Sequence, residues 1–78
     1  MTKGLTVALN KSLLIELPRE LRDVVVSDPA TMDVVVQSSN RAYLIGKKYG
    51  QANAFFFDVN GERILTLEIQ VERDTASL

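Results

Sequence analysis

The 78-residue sequence contains no cysteine, no histidine and no tryptophan. Without cysteine it can form neither a disulfide nor a cysteine metal site, and it has no thiol nucleophile. Without histidine it lacks the side chain that most often serves as a general base near neutral pH and as a ligand of transition metals. These absences argue against an enzyme. We therefore predict no catalytic residue, no cofactor, no metal site and no small-molecule substrate.

No charge of one sign dominates, and no long apolar run occurs. Nine Lys and Arg residues are balanced by ten Asp and Glu residues, which gives a net charge of −1. Because nucleic acids and anionic membranes bind concentrated basic surfaces, neither is expected as a partner. No stretch approaches the roughly 20 apolar residues that span a bilayer. Met1–Gly4 leads directly into a strand pattern, without the apolar segment of a signal peptide.

The sequence does contain a series of short segments typical of β-strands. β-branched residues fill Val24–Val26 and Val34–Val36, and such residues favour strands over helices. Apolar and polar residues alternate from Arg63 to Glu72 with the period of two that a half-buried strand requires. The predicted strands are Leu5–Leu9, Leu13–Leu17, Arg22–Ser27, Asp33–Ser38, Ala42–Lys47, Asn53–Asp58 and Arg63–Glu72.

Turn residues separate these segments at a spacing of about ten residues, which is typical of two packed antiparallel sheets. We therefore predict an all-β fold, a small seven-stranded antiparallel β-sandwich of immunoglobulin-like topology. The alternative is an α+β fold in which Pro18–Asp23 or Pro29–Asp33 extends into one short helix. Residues 1–78 are expected to form a single domain with an ordered core from about residue 5 to residue 72. The polar segment Arg73–Leu78 is expected to fray.

The stretch of residues 40–61 organises the predicted fold. Its strands, Ala42–Lys47 and Asn53–Asp58, are expected to form a hairpin around a solvated turn at Gly46–Gly50. A second hairpin is predicted at Asn60-Gly61, because both residues tolerate the positive φ of a type I′ turn.

Two of these turns contain residue types that also occur in ligand sites. Asp58–Glu62 has oxygen ligands at close spacing, but it lacks the spacing of a calcium loop and the bidentate glutamate at its far end. Gly46–Gly50 contains glycines and lysines, but it lacks the order of a phosphate loop and no helix follows it. A β-turn is the better interpretation of both.

The aromatic run of the sixth strand divides between the core and the surface. Because side chains alternate along a strand, Phe56 is expected in the core, and Phe55 and Phe57 are expected on the opposite face. Either loops or a neighbouring strand cover that face, or it is an apolar patch that awaits a partner. Phe55 and Phe57 are therefore the candidate interface residues. The predicted core residues are Leu13, Ile15, Leu44, Phe56, Leu65, Leu67 and Ile69.

Four short motifs follow one another along the chain, and most of their residues are turn residues. Their patterns are xKSxxLxLP, VxVxDPxxxDVV, YLxGKxxGxTN and xxDxxG. The matching residues are Lys11, Ser12, Leu17, Pro18, Asp28, Pro29, Asp33, Val34, Tyr43, Leu44, Gly46, Lys47, Gly50, Asn53, Asp58 and Gly61. In the order of these motifs the sequence resembles the N-terminal domain of pilus-formation secretins of the CpaC/RcpA type, which serve Tad (Flp) pili. These secretins belong to the same family as the secretins of type II and type III secretion. Gln51-Ala52 and Ala54 depart from the pattern.

The resemblance implies a periplasmic domain that precedes a ring-forming outer-membrane channel in a longer secretin. It implies a non-catalytic protein–protein interaction and assembly module, whose partners are other subunits of the same secretin ring and pilus or secretion components. The isolated domain is expected to be monomeric, since a small interface suffices only at the high local concentration of a ring. The alternative function is a bacterial immunoglobulin-like adhesion or surface module, whose pattern of strands and turns is similar.

Overall fold

The computed structural model describes residues 2–73, which form seven strands and no helix. The all-β class and the strand count predicted from the sequence are confirmed. The α+β alternative is wrong for the described residues, and the fraying expected of residues 74–78 falls outside them. The strands are β1 (Thr2–Ala8), β2 (Ser12–Glu16), β3 (Leu21–Val26), β4 (Met32–Ser38), β5 (Arg41–Gly46), β6 (Gly50–Asp58) and β7 (Arg63–Glu72).

The strands pack as a sandwich of two sheets with immunoglobulin-like connections. The four-stranded sheet has the order β1-β7-β6-β3, and the three-stranded sheet has the order β2-β5-β4. Neighbouring strands are antiparallel except β1 and β7, which run parallel from Thr2 beside Thr66 to Ala8 beside Glu72. This pair departs from the antiparallel arrangement predicted. The chain leaves β1 for the opposite sheet at a turn through Asn10, whose φ is 64°, and β1 pairs with β7 rather than with β2.

The connection between β2 and β3 forms no helix, because the turn between β4 and β5 accepts its backbone hydrogen bonds. The Leu17 N–H donates to the Asn40 carbonyl at 2.7 Å, and the Leu21 N–H donates to the Ser39 carbonyl at 2.6 Å. Pro18, between them, has no N–H to donate. The backbone is therefore bound to another part of the chain rather than to itself.

Asp28 closes the loop between β3 and β4. Its Oδ2 accepts a hydrogen bond from the Thr31 hydroxyl at 2.7 Å, and its Oδ1 accepts one from the Ala30 N–H at 3.2 Å. The Thr31 hydrogen bond, supported by backbone amides and Lys48 and opposed by burial, lowers the pKa of Asp28. The loop is thus held by a carboxylate that is stabilised in its charged form.

Both sheets contribute to one core, and five of the seven predicted core residues are buried in it. These five are Leu44, Phe56, Leu65, Leu67 and Ile69. Ile15 is half-buried against the same core, whereas Leu13 remains 37% exposed, so its prediction is wrong. Leu13 faces inward opposite Leu44, but β2 is an edge strand and neighbours flank it on one side only.

The two strands of residues 40–61 do not form the hairpin predicted for them. β5 belongs to the three-stranded sheet and β6 to the four-stranded sheet, so residues 47–49 cross between the sheets. The backbone N–H groups of Lys47 and Lys48 donate to the Thr31 carbonyl at 2.8 and 3.1 Å, which anchors this crossing to the β3–β4 loop. Each strand contributes one face to the shared core without pairing with the other.

The crossing requires a glycine at the end of β5. A Cβ atom on Gly46 would lie 2.9 Å from Cγ1 of Val71 and 3.2 Å from the Ala8 carbonyl oxygen. Both distances are shorter than ordinary van der Waals contact. The absence of a side chain at Gly46 therefore lets β5 approach β1 and β7 closely.

Asn60 and Gly61 lie in the hairpin between β6 and β7, as predicted, but the turn is of another type. Gly61 has a φ of 80°, whereas Asn60 does not have a positive φ. The Gly61 N–H donates to the Asp58 carbonyl at 3.0 Å, and the Asp58 N–H donates to the Glu62 carbonyl at 2.8 Å. These bonds define a three-residue loop that ends in a left-handed glycine. The prediction of type I′ is wrong, because a register shift beside the turn accommodates the third loop residue.

Candidate interaction surface

Phe55 and Phe57 lie on the outer face of the four-stranded sheet. Phe56, between them, has no exposed surface and fills the centre of the sandwich. Phe55 and Phe57 are half-buried, so neighbours on the outer face cover part of each ring. The predicted alternation along β6 is confirmed. The outer face is neither fully covered nor fully open at these two positions.

Phe55 belongs to a row of side chains that crosses the outer face from β3 to β7. Its cross-strand partners are Val25 on β3 and Thr66 on β7, and such partners project from the same face of a sheet. Val25 is 48% exposed. Thr66 is buried, and its Oγ1 has no hydrogen-bond partner. The row is therefore open to solvent at β3 and shielded from it at β7.

Next to Phe57, the buried carboxylate of Asp58 stabilises the β6–β7 hairpin. Asp58 Oδ1 accepts hydrogen bonds from the N–H groups of Asn60 and Glu62 at 2.9 and 3.0 Å, and Oδ2 accepts one from Arg19 Nε at 3.1 Å. Burial alone would raise the pKa of Asp58, but these hydrogen bonds and the Arg19 charge outweigh it and lower the pKa. Phe57 and Asp58 line an open depression of about 540 Å³ beside the hairpin.

The other half of this outer face is polar. Asn53 and Glu68 are cross-strand partners, as are Gln51 and Gln70. Gly4 on β1 lies beside Glu68, and a Cβ atom placed there would meet nothing within 4 Å. The missing side chain leaves an open depression of about 490 Å³ along β1, β7 and β6. The outer face of this sheet is therefore divided into an apolar part and a polar part.

A second apolar surface lies on the outer face of the three-stranded sheet, and the sequence analysis did not identify it. Leu14, Tyr43 and Val35 are cross-strand partners in one row over β2, β5 and β4, which we call the Tyr43 row. Leu14 and Val35 are 43% and 46% exposed, and Tyr43 is half-buried between them. The available signal was the run Leu13–Ile15, because alternation cannot bury three successive apolar side chains.

Among residues 2–73, no group of three or more Asp, Glu, His or Cys side chains is arranged to hold a metal ion. The same part of the chain contains no helix able to cross a bilayer. Each outer face of the sandwich carries an apolar row.

Comparison with known proteins gives matches over nearly the whole chain. The family described as "Pilus formation protein N terminal region" matches residues 2–72. An uncharacterized protein of Sinorhizobium fredii (strain NBRC 101917 / NGR234), y4xJ, is 31% identical over 77 residues. That alignment covers 99% of this chain and 18% of the relative, so the chain spans less than a fifth of the length of the relative.

Proposed function

Because this chain belongs to the family of pilus formation protein N-terminal regions, we propose that it is a non-catalytic, periplasmic assembly module of an outer-membrane pilus secretin. As a member of that family it is a domain of the pilus and secretion machinery. The observation that supports the proposal most directly is the extent of the match, residues 2–72, which coincides with the sandwich from the start of β1 to the end of β7. The pilus system we propose is of the Tad (Flp) type.

The partners we propose are neighbouring subunits of the same secretin ring, together with other pilus or secretion components. In a closed ring each subunit meets its two neighbours through two different surfaces, which complement each other. The two surfaces we propose for these contacts lie on opposite sides of the sandwich, the apolar part around Phe55 and Phe57 and the Tyr43 row. A small contact of this kind holds subunits together when the rest of the ring keeps them close.

The first experiment replaces Phe55 and Phe57 with serine in the full-length protein that carries this domain. We expect fewer assembled rings by native gel electrophoresis and electron microscopy, because the apolar contact is lost. The same double variant of the isolated domain should remain folded, since both side chains are only half-buried. Normal ring assembly by the variant would contradict the proposed contact. An isolated domain that unfolds would assign both phenylalanines to the core instead.

The matched control replaces Gln51 and Gln70 with serine on the polar part of the same face. This control should assemble as the wild type does. Replacing Leu14 and Val35 with serine tests the opposite surface, and we expect this variant to lose rings as well. A full-length gene product with tandem copies of the domain and no channel segment would favour an adhesion or surface module instead.

A further inference from the structure

The two edge strands on one side of the sandwich contain the same four residues, Asp-Val-Val-Val. They occupy Asp23–Val26 in β3 and Asp33–Val36 in β4. In both strands the aspartate accepts a hydrogen bond from the backbone N–H of the residue that follows it. Asp23 Oδ1 lies 2.9 Å from the nitrogen of Val24, and Asp33 Oδ1 lies 2.8 Å from the nitrogen of Val34.

In β3 the capped N–H is one that faces the open edge of the sheet. Residues of an antiparallel strand alternately bond to the partner strand and point their N–H and C=O groups away from it. The Ser27 N–H donates to the Asn53 carbonyl at 2.9 Å. In the register of β3 and β6, Val25 therefore bonds to β6, and the N–H of Val24 points to the open edge.

The same relation holds in β4. The Lys47 N–H donates to the Thr31 carbonyl at 2.8 Å, which sets the alternation of hydrogen bonds between β4 and β5. Asp33 and Val35 consequently bond to β5, and the N–H of Val34 points away from it. Two edge strands in different sheets thus have the same arrangement. In each, an exposed aspartate accepts a hydrogen bond from the first N–H of the Val-Val-Val run that points away from the partner strand.

These two edges combine the features that invite another strand. β-branched runs with little charge have a high propensity to pair edge to edge. The exposed Val25, Val35 and Val36 lie on them. β3 and β4 also contact each other, so both edges open on the same side of the sandwich. An aspartate on each edge places a negative charge beside the outward donors and occupies one of them.

We infer that Asp23 and Asp33 block the β3 and β4 edges against strand pairing with a second copy of this chain. A second copy would have to displace each carboxylate from its N–H and bury it beside the new strand, and burying an unpaired charge is unfavourable. Contacts between subunits are thereby confined to other surfaces of the domain.

The test replaces both aspartates with alanine in the 78-residue chain and measures mass by light scattering after gel filtration over a range of concentrations. The wild type is expected at its monomer mass of 8.7 kDa. The variant is expected at about twice that mass or more, because the outward donors become free to pair. A variant that remains monomeric at every concentration overturns the inference, as does a wild type that already pairs through β3 or β4.

Two further variants distinguish the effect of the strand edges on association from the effect of net charge. Replacing the exposed Glu20 and Glu62 with alanine removes the same charge away from the Val-Val-Val runs and should leave a monomer. If it associates as strongly as the aspartate variant, the inference fails. Adding Val25→Lys and Val36→Lys to the aspartate variant restores charge to both edges and should restore the monomer. Persistent association after this addition also contradicts the inference.

Amide hydrogen exchange gives a measurement that does not depend on association. In the wild-type monomer the N–H groups of Val24 and Val34 should exchange slowly for edge positions, because each donates to a carboxylate. In the single variants Asp23→Ala and Asp33→Ala the corresponding amide should exchange about fivefold faster. Equal exchange in the wild type and in both variants overturns the inference.

Discussion

Arg19 donates a hydrogen bond from Nε to Oδ2 of Asp58 at 3.1 Å, although 39 positions separate the two residues in the sequence. The guanidinium also reaches the Arg63 carbonyl, with Nη2 at 3.3 Å. Arg19 lies in the β2–β3 connection, and Asp58 and Arg63 flank the β6–β7 hairpin. One side chain thus fixes that connection to the hairpin beside Phe57.

The two aspartates with lowered pKa predict how stability changes with pH. The pKa values of Asp58 and Asp28 in the folded domain lie below their ordinary 3.8. Such groups stabilise the fold above the ordinary pKa, and this contribution is lost as pH falls through the folded pKa. We expect the melting temperature, followed by circular dichroism, to fall below about pH 4. In the Asp28→Asn and Asp58→Asn double variant this fall should be smaller, and an unchanged pH profile would contradict the assignment.

A substitution at Leu67 measures how much a cavity in the core lowers the free energy of unfolding. Its side chain is buried at the centre of the sandwich. Leu67→Ala should lower the free energy of unfolding by about 2–5 kcal/mol, measured by urea denaturation. Leu14→Ala, at an exposed position, should change it by only about 0.5 kcal/mol. Similar costs at the two sites would argue against the core as described.

Gly46 in β5 and Gly4 in β1 provide a test substitution and its matched control. Gly46→Ala places a Cβ atom against Val71 and the Ala8 carbonyl, so it should destabilise the domain by about 1–3 kcal/mol. Gly4→Ala places the same atom in open space, so it should be neutral or stabilising by about 0.4–1 kcal/mol. Thermal unfolding of the two variants side by side measures the difference. A neutral Gly46→Ala would show that β5 does not approach β1 and β7 so closely.

Thr66 predicts a stabilising substitution. Its Oγ1 is buried without a hydrogen-bond partner, so the loss of hydration of that hydroxyl destabilises the folded state. Thr66→Val keeps the shape and removes the polar group, and it should raise the free energy of unfolding by about 1 kcal/mol. Thr6→Val, at an exposed position of the same sheet, should change it less. A destabilised Thr66→Val variant would indicate that the hydroxyl has a partner.

The sequence was sufficient to predict the features that follow from the alternation of side chains along a strand. Alternation identified the strands and separated Phe56 from Phe55 and Phe57, because it depends only on neighbours in the chain. It could not tell which strand pairs with which. β5 and β6 therefore looked like a hairpin, although residues 47–49 cross between the sheets.

The candidate surfaces were predictable only in part, for the same reason. Phe55 and Phe57 were found from alternation, whereas the Tyr43 row also needs β2, which lies far from β4 and β5 in the sequence. The hydrogen bonds of Asp23 and Asp33 could not be predicted either. Their meaning depends on β3 and β4 being edges, and only the completed sheets decide which strands are edges.

The parallel pairing of β1 with β7 sets the order in which the domain can be completed. Residues 2–8 pair with residues 66–72, so the first and last strands of the sandwich must meet before the four-stranded sheet is complete. Contacts of such long sequence separation slow folding, typically to milliseconds or longer in β-sandwiches. A chain that emerges from a ribosome or an export channel with its N-terminus first must keep β1 unpaired until β7 follows. Within this sandwich, the strand that is made first is therefore among the last to be paired.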